Sequence, residues 1–297
     1  MNRKKITLLE VPFDLGSPRK GSSMGPSILS ALGLQTELGK SYEIARVAIK
    51  SETDNSDDKI ECGVHNLWNS VDICTRLRDE VKMNWSDDTI LLTIGGDHTI
   101  SLGTIAGASL CEENIGVIYV DAHTDINTEL TSFTGNAHGM PLAACMGMCK
   151  TELNDIAKER RLKSSNVFWI GARAIDDLEQ YNIEYPDNVY SYDRICTIGF
   201  ENCLEEILKK IQRNNIDKLH LSFDVDVMDP IIIPATGVPE KYGLGLEDLQ
   251  ILNLWLRKLK KVVSVDFVEY NPLLDDKEYS VGKWCVNTII DLIKNTI

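Results

Sequence analysis

Short runs of β-forming apolar residues, at 6–11, 43–49, 89–94, 116–120, 167–170, 188–191, 219–223 and 262–268, alternate with longer amphipathic stretches. Several runs are apolar at nearly every position, the pattern of strands covered on both faces. This alternation predicts a mostly parallel sheet of about eight strands between two helix layers, a three-layer α/β/α sandwich. The helical stretches fall near 26–32, 67–82, 100–110, 155–160, 201–212, 246–259 and 281–294. Within 246–259, Leu246, Leu249, Leu252, Trp255, Leu256 and Leu259 recur at helical spacing and read as a core stripe. No Pro/Gly/Ser-rich linker and no internal repeat divides the 297 residues, so 1–297 is expected to be one domain. The polar string Pro18-Arg19-Lys20-Gly21-Ser22-Ser23 reads as a loop before a helix starting near Pro26, and 50–61 as an exposed acidic loop.

Composition narrows the partners. Asp and Glu outnumber Lys and Arg by 45 to 31, a net charge of −14, which argues against nucleic acid and is compatible with a cationic substrate or a metal. No apolar run approaches the roughly 18 residues of a membrane span. The opening apolar run Ile6-Thr7-Leu8-Leu9 is short and is interrupted by Glu10, so no signal peptide is expected and a cytoplasmic location is the default. The eight cysteines lack zinc spacing and read as reduced core thiols, Cys145 and Cys149 among them.

The chemistry-bearing residues sit just after predicted strands. Gly95-Gly96-Asp97-His98-Thr99 follows 89–94, Asp121-Ala122-His123-Thr124-Asp125 follows 116–120, Asp224-Val225-Asp226 follows 219–223, and Glu269 follows 262–268. Parallel sheets bind ligands outside the carboxyl ends of their strands, so these groups are expected on one rim. If the chain stays extended, alternate side chains point the same way, so Asp121, His123 and Asp125 can face one point, as can Asp224 and Asp226. Taken singly, each motif is most often a turn or a helix cap. Together with His98 they bring two imidazoles and four carboxylates to one zone, where four bare negative charges would repel strongly. Two divalent cations would cancel that charge, and a mixed oxygen and nitrogen donor set without thiolate suits manganese. A pair of ions would also leave a place for an activated water. Of the five histidines, His98, His123 and His138 lie in or beside these segments; His65 and His220 are expected to be structural.

These segments resemble the metal signatures of the ureohydrolases, the family of arginases, agmatinases and related guanidino-compound hydrolases. The resemblance runs from about Ile6 to Pro272 and includes Val11-Pro12-Phe13-Asp14-Leu15-Gly16 and Pro234-Ala235-Thr236-Gly237. It implies an α/β/α fold, a binuclear manganese centre with two Mn(2+) per chain, and His98, Asp121, His123, Asp125, Asp224 and Asp226 as ligands. It further implies His138 as a proton shuttle, Glu269 as the partner of the substrate guanidinium, and a trimeric or hexameric assembly. Within the family the arginase group matches best. Asp125-Ile126-Asn127-Thr128 and Thr134 correspond to its reading of the substrate α-carboxylate, and Asp176 and Glu179 to its α-amino contacts. The implied reaction is hydrolysis of L-arginine to L-ornithine and urea, by attack of a hydroxide shared between the ions and positioned by Asp125. The alternatives are an agmatinase or guanidinobutyrase activity, or a silent metal-binding scaffold. After Ala235-Thr236-Gly237 the arginase pattern has Thr-Pro where this chain has Val238-Pro239, which removes a hydroxyl.

Overall fold

The computed structural model describes residues 4–51 and 60–296. Among the described residues ten strands form, and eight of them make one sheet: β1 Lys5–Val11, β2 Glu43–Ala48, β5 Thr89–Gly95, β6 Gly116–Val120, β7 Val167–Ile170, β8 Val189–Tyr190, β9 Leu219–Asp224 and β10 Val262–Val268. Their order is β2-β1-β5-β10-β9-β6-β7-β8. Every pairing in this sheet is parallel. The remaining two, β3 Ile60–Glu61 and β4 Val64–His65, form a small antiparallel ladder. The predicted acidic loop 50–61 therefore ends in a strand, and its middle, 52–59, lies outside the described residues.

The near-continuous hydrophobicity of the strands resolves into two cores. Side chains alternate across a strand, so Ile118 and Val120 of β6 enter one core while Val117 and Tyr119 enter the other. Phe168 and Ile170 of β7 likewise oppose Val167 and Trp169. Helices Phe200–Arg213, Leu246–Leu259 and Ser280–Thr296 cover the first face, and Leu67–Asn84, Ser101–Cys111 and Pro141–Met146 the second. Burial of both faces is the main stabilisation, at about 25 cal/mol for each Å² of apolar surface removed from water.

Some expectations need correction. The helix expected at 155–160 is instead the single turn Leu153–Ile156, and 157–160 carries no helix. Short helices at Leu34–Gly39, Pro141–Met146 and Tyr192–Ile198 gave too few turns to show a periodicity. Leu246, the first member of the expected core stripe, is 49% exposed because it sits at the helix N-terminus, ahead of the sheet's cover. Cys74, Cys145, Cys149, Cys203 and Cys285 are buried as expected, but Cys62 and Cys196 are exposed. Polar residues interrupt the central strands where they can pair: His220 lies 2.8 Å from Ser264 Oγ and 3.1 Å from Asp266 Oδ2, and Thr104 also bonds Asp266. His220 is thus a satisfied core residue, the structural role expected for it.

Candidate metal centre

The strand order explains the site. β5, β10, β9 and β6 are consecutive neighbours in the middle of the sheet, and their carboxyl ends carry His98, Glu269, Asp224 with Asp226, and Asp121 with His123 and Asp125. Gly96 permits the turn after β5, since a Cβ there would lie 1.8 Å from the carbonyl oxygen of Phe13.

Local convergence does not come from extended chain alone. Asp125 is left-handed at φ 49°, and Val225–Val227 forms a 3-10 turn. The residue-skipping spacing has a different cause: an Asp side chain that accepts the amide two residues on closes an Asx turn. Asp121 Oδ1 accepts from the His123 amide at 2.7 Å, Asp224 Oδ1 from the Asp226 amide at 2.8 Å, and Asp97 Oδ1 from the Thr99 amide at 3.0 Å. Asp226 Oδ1 accepts from the Ala122 amide at 3.2 Å, which ties the β6 and β9 loops together. In Asp121, Asp224 and Asp226 one oxygen is thereby fixed by the backbone, and the other turns inward.

The carboxylates meet the imidazoles, Asp121 with both of its oxygens. His98 Nδ1 lies 2.8 Å from Asp121 Oδ2, 3.2 Å from Asp125 Oδ2 and 3.1 Å from Asp224 Oδ2. His123 Nδ1 lies 3.3 Å from Asp121 Oδ1 and 3.1 Å from Asp226 Oδ2. Two groups result, His98/Asp121/Asp125 and Asp121/His123/Asp226, and Asp121 belongs to both. His98 Nδ1 and Asp121 Oδ2 are buried and close, yet neither makes a hydrogen bond of acceptable geometry. One nitrogen facing three carboxylate oxygens cannot donate to all of them. A cation among them would take one lone pair from the nitrogen and one from each facing oxygen, so the residues fit a metal. Ser222 Oγ, 2.8 Å from His98 Nε2, engages the other ring nitrogen, the arrangement that leaves Nδ1 as ligand.

Electrostatics point the same way. Burial, then neighbouring carboxylates, pushes Asp125 up to about 7 and raises Asp224 and Asp226 as well. Asp121 moves oppositely: burial would raise it, but His123 and His98 hold it below the usual carboxylate range. Both imidazoles are raised by Asp121 and by Asp224 or Asp226, against burial that would lower them. Two like charges 4 Å apart cost about 4 kcal/mol at an effective dielectric of about 20.

Above the cluster opens a cavity of about 390 Å³, lined among others by Asn127, Thr134, His138, Asp176, Glu179, Val238 and Glu269. Glu269 is 3% exposed and left-handed at φ 65°, a strained backbone of the kind that clusters at functional sites. Its Oε1 accepts from the His98 amide at 2.9 Å and lies 3.2 Å from His138 Nδ1, while its Oε2 is buried without a partner. Burial would lower the His138 imidazole, but Glu269 raises it. Asn127 Nδ2 donates to Asp176 Oδ2 at 3.1 Å. Thr134 lies at the exposed rim, its hydroxyl 3.4 Å from Ser132 Oγ. Glu179 is differently placed from the other three. Its Oε1 accepts from Thr124 Oγ1 at 2.7 Å and the Ile126 amide at 3.0 Å, and its Oε2 from the Asp176 amide at 3.1 Å. It therefore braces the 124–127 and 176–179 loops.

The roles of Arg173, Tyr119 and Ser222 in this site escaped sequence reasoning. Arg173 donates to the carbonyls of Gly171, Asp226, Val227, Met228, Glu240 and Lys241, pinning the Asp226 turn to the wall that carries Val238. A cation three residues past a buried strand was the available signal. Tyr119 sits inside an apolar strand and offered none.

A parallel α/β/α sheet with paired imidazole–carboxylate groups at its strand ends defines a metalloenzyme scaffold. The family model described as "Arginase family" matches residues 4–291, and the chain belongs to that family. Its relatives include the arginase of Entamoeba histolytica, 36% identical over 93% of this chain and 94% of that protein. The Bacillus subtilis arginase is 33% identical over 98% of both chains. The solved E. histolytica arginase in complex with L-ornithine superposes with a TM-score of 0.89 at 31% identity, covering 100% of this chain and 99% of that one. The Thermoplasma volcanium agmatine ureohydrolase, at 21% identity and a TM-score of 0.70, shares the fold.

Proposed function

We propose that this chain is a manganese-dependent hydrolase that converts L-arginine to L-ornithine and urea. The observation that carries the reading is the pair of imidazole–carboxylate groups joined through Asp121, beneath a cavity whose wall presents the unpartnered Glu269 Oε2. His98, Asp121, His123, Asp125, Asp224 and Asp226 would hold two Mn(2+), whose four positive charges match the four carboxylates. When bound, the ions supply Lewis-acid activation of water at neutral pH.

The chain's own groups do the rest. Glu269 Oε2 accepts from the substrate guanidinium, a charge-assisted bond that orients the carbon over the cluster. Asp125 accepts a hydrogen bond from the attacking water and fixes its direction. His138, held beside Glu269 at the half-buried cavity wall, delivers a proton to the departing amine. Asn127 and Thr134 bind the α-carboxylate, Asp176 binds the α-amino group, and Glu179 acts through the loops it braces. A cytoplasmic location and a homotrimeric or hexameric assembly belong to the same reading, supported by kinship to the family.

Urea release from arginine, agmatine and 4-guanidinobutyrate after manganese loading tests the substrate. Arginine should be hydrolysed fastest; preference for either analogue would contradict the reading. Asp176→Ala should lower kcat/KM for arginine by about 10- to 100-fold, the worth of a hydrogen bond to a charged group. It should leave 4-guanidinobutyrate, which lacks the amine, unchanged; equal losses on both would remove Asp176 from amine recognition. His138→Asn should lower kcat about 100-fold or more with metal content intact, and unchanged turnover would end the shuttle role.

A further inference from the structure

We infer that Tyr119 is a positioning residue that locks one half of the metal centre, the His98/Asp125 half, through its ring and its hydroxyl together. The inference rests on the two-metal reading above and adds a residue that touches neither ion nor substrate. Tyr119 is fully buried in β6, in the middle of the sheet. Its ring stacks on the His98 imidazole, with centroids 4.6 Å apart and planes 4° apart. Its hydroxyl donates to Asp125 Oδ2 at 2.8 Å, the same oxygen that lies 3.2 Å from His98 Nδ1.

One rigid side chain therefore fixes a nitrogen donor and an oxygen donor of the same group. Asp125 needs such a tie. Its backbone is left-handed, and unlike Asp121, Asp224 and Asp226 its carboxylate has no amide bond recorded among the described residues. Without the hydroxyl, its χ1 and χ2 are free to swing towards the cavity it lines. His123, in the other half, has no comparable ring stack among the described residues, and its side chain is 23% exposed. The two halves thus differ in how their donors are held, although their donor chemistry is alike.

The Tyr119→Phe variant isolates the hydroxyl, because ring and packing remain. Calorimetric titration of the metal-free protein with Mn(2+) should resolve two binding events in the wild type. In Y119F one event should weaken about tenfold, the usual cost of removing an outer hydrogen-bond partner of a ligand, while the other stays within twofold. The half-site is assigned with a double-mutant cycle. The weakening should persist in a His123→Ala background and vanish in an Asp125→Ala background, where the hydroxyl has no carboxylate to hold. Thermal unfolding of metal-free Y119F controls for a general loss of stability. Equal weakening of both events, or none, overturns the role given to Tyr119. A wild-type protein that binds no divalent ion overturns the two-metal reading instead.

Discussion

Replacing Asp121 with Ala should remove both ions and lower urea release by at least about a thousandfold, beyond the loss typical of one transition-state donor. Among the described residues no other belongs to both groups: Oδ2 faces His98 at 2.8 Å and Oδ1 faces His123 at 3.3 Å. Removing it strips a shared carboxylate from each half and frees the His123 amide that Oδ1 accepts. Asp121→Asn separates charge from shape. It keeps the Asx turn through its carbonyl oxygen but offers one neutral donor where a second carboxylate oxygen stood, so it too should lose metal while folding normally. Metal content by plasma mass spectrometry and urea release on one sample check this. A D121A protein that retained two ions per chain would show that the cluster is organised differently.

The second large effect is at Glu269. Glu269→Gln preserves volume and can still accept from the His98 amide, but it removes the charge that faces the guanidinium and His138. Breaking a buried charge pair by neutralising one partner costs about 3–5 kcal/mol, which is about 150-fold or more in kcat/KM. The ions should remain, because Glu269 belongs to neither metal group. Metal loss with activity loss would make Glu269 part of the metal-holding framework. Activity within threefold of wild type would mean that the guanidinium binds elsewhere.

Much of this was legible in the chain because the physics is local. A strand buried on both faces must be apolar nearly throughout, so 116–120 announces itself, and the change to Asp and His at its end marks where the sheet stops and the rim begins. The layer architecture and the placing of these polar side chains at strand ends follow from that alternation. Strand order is not local. That β5, β10, β9 and β6 lie side by side depends on long-range pairing, and without it the four rims could have been scattered. The cause of the spacing was also misread. Alternation in extended chain expects Asp121 and His123 to face one point, and they do meet, but the structure brings them together with Asx turns and a left-handed Asp125. Roles that depend on one hydrogen bond stayed hidden. Tyr119 looks like any strand aromatic, Ser222 like any small residue, and Glu179 like a ligand-facing carboxylate until its oxygens are found on Thr124, Ile126 and Asp176.

The most direct test of the central claim is anomalous diffraction at the manganese edge from crystals of the manganese-loaded protein. Two peaks are expected in each chain, one among His98, Asp121, Asp125 and Asp224 and one among Asp121, His123 and Asp226, with Asp121 reaching both. A single peak, or none within reach of these six residues, would contradict the account.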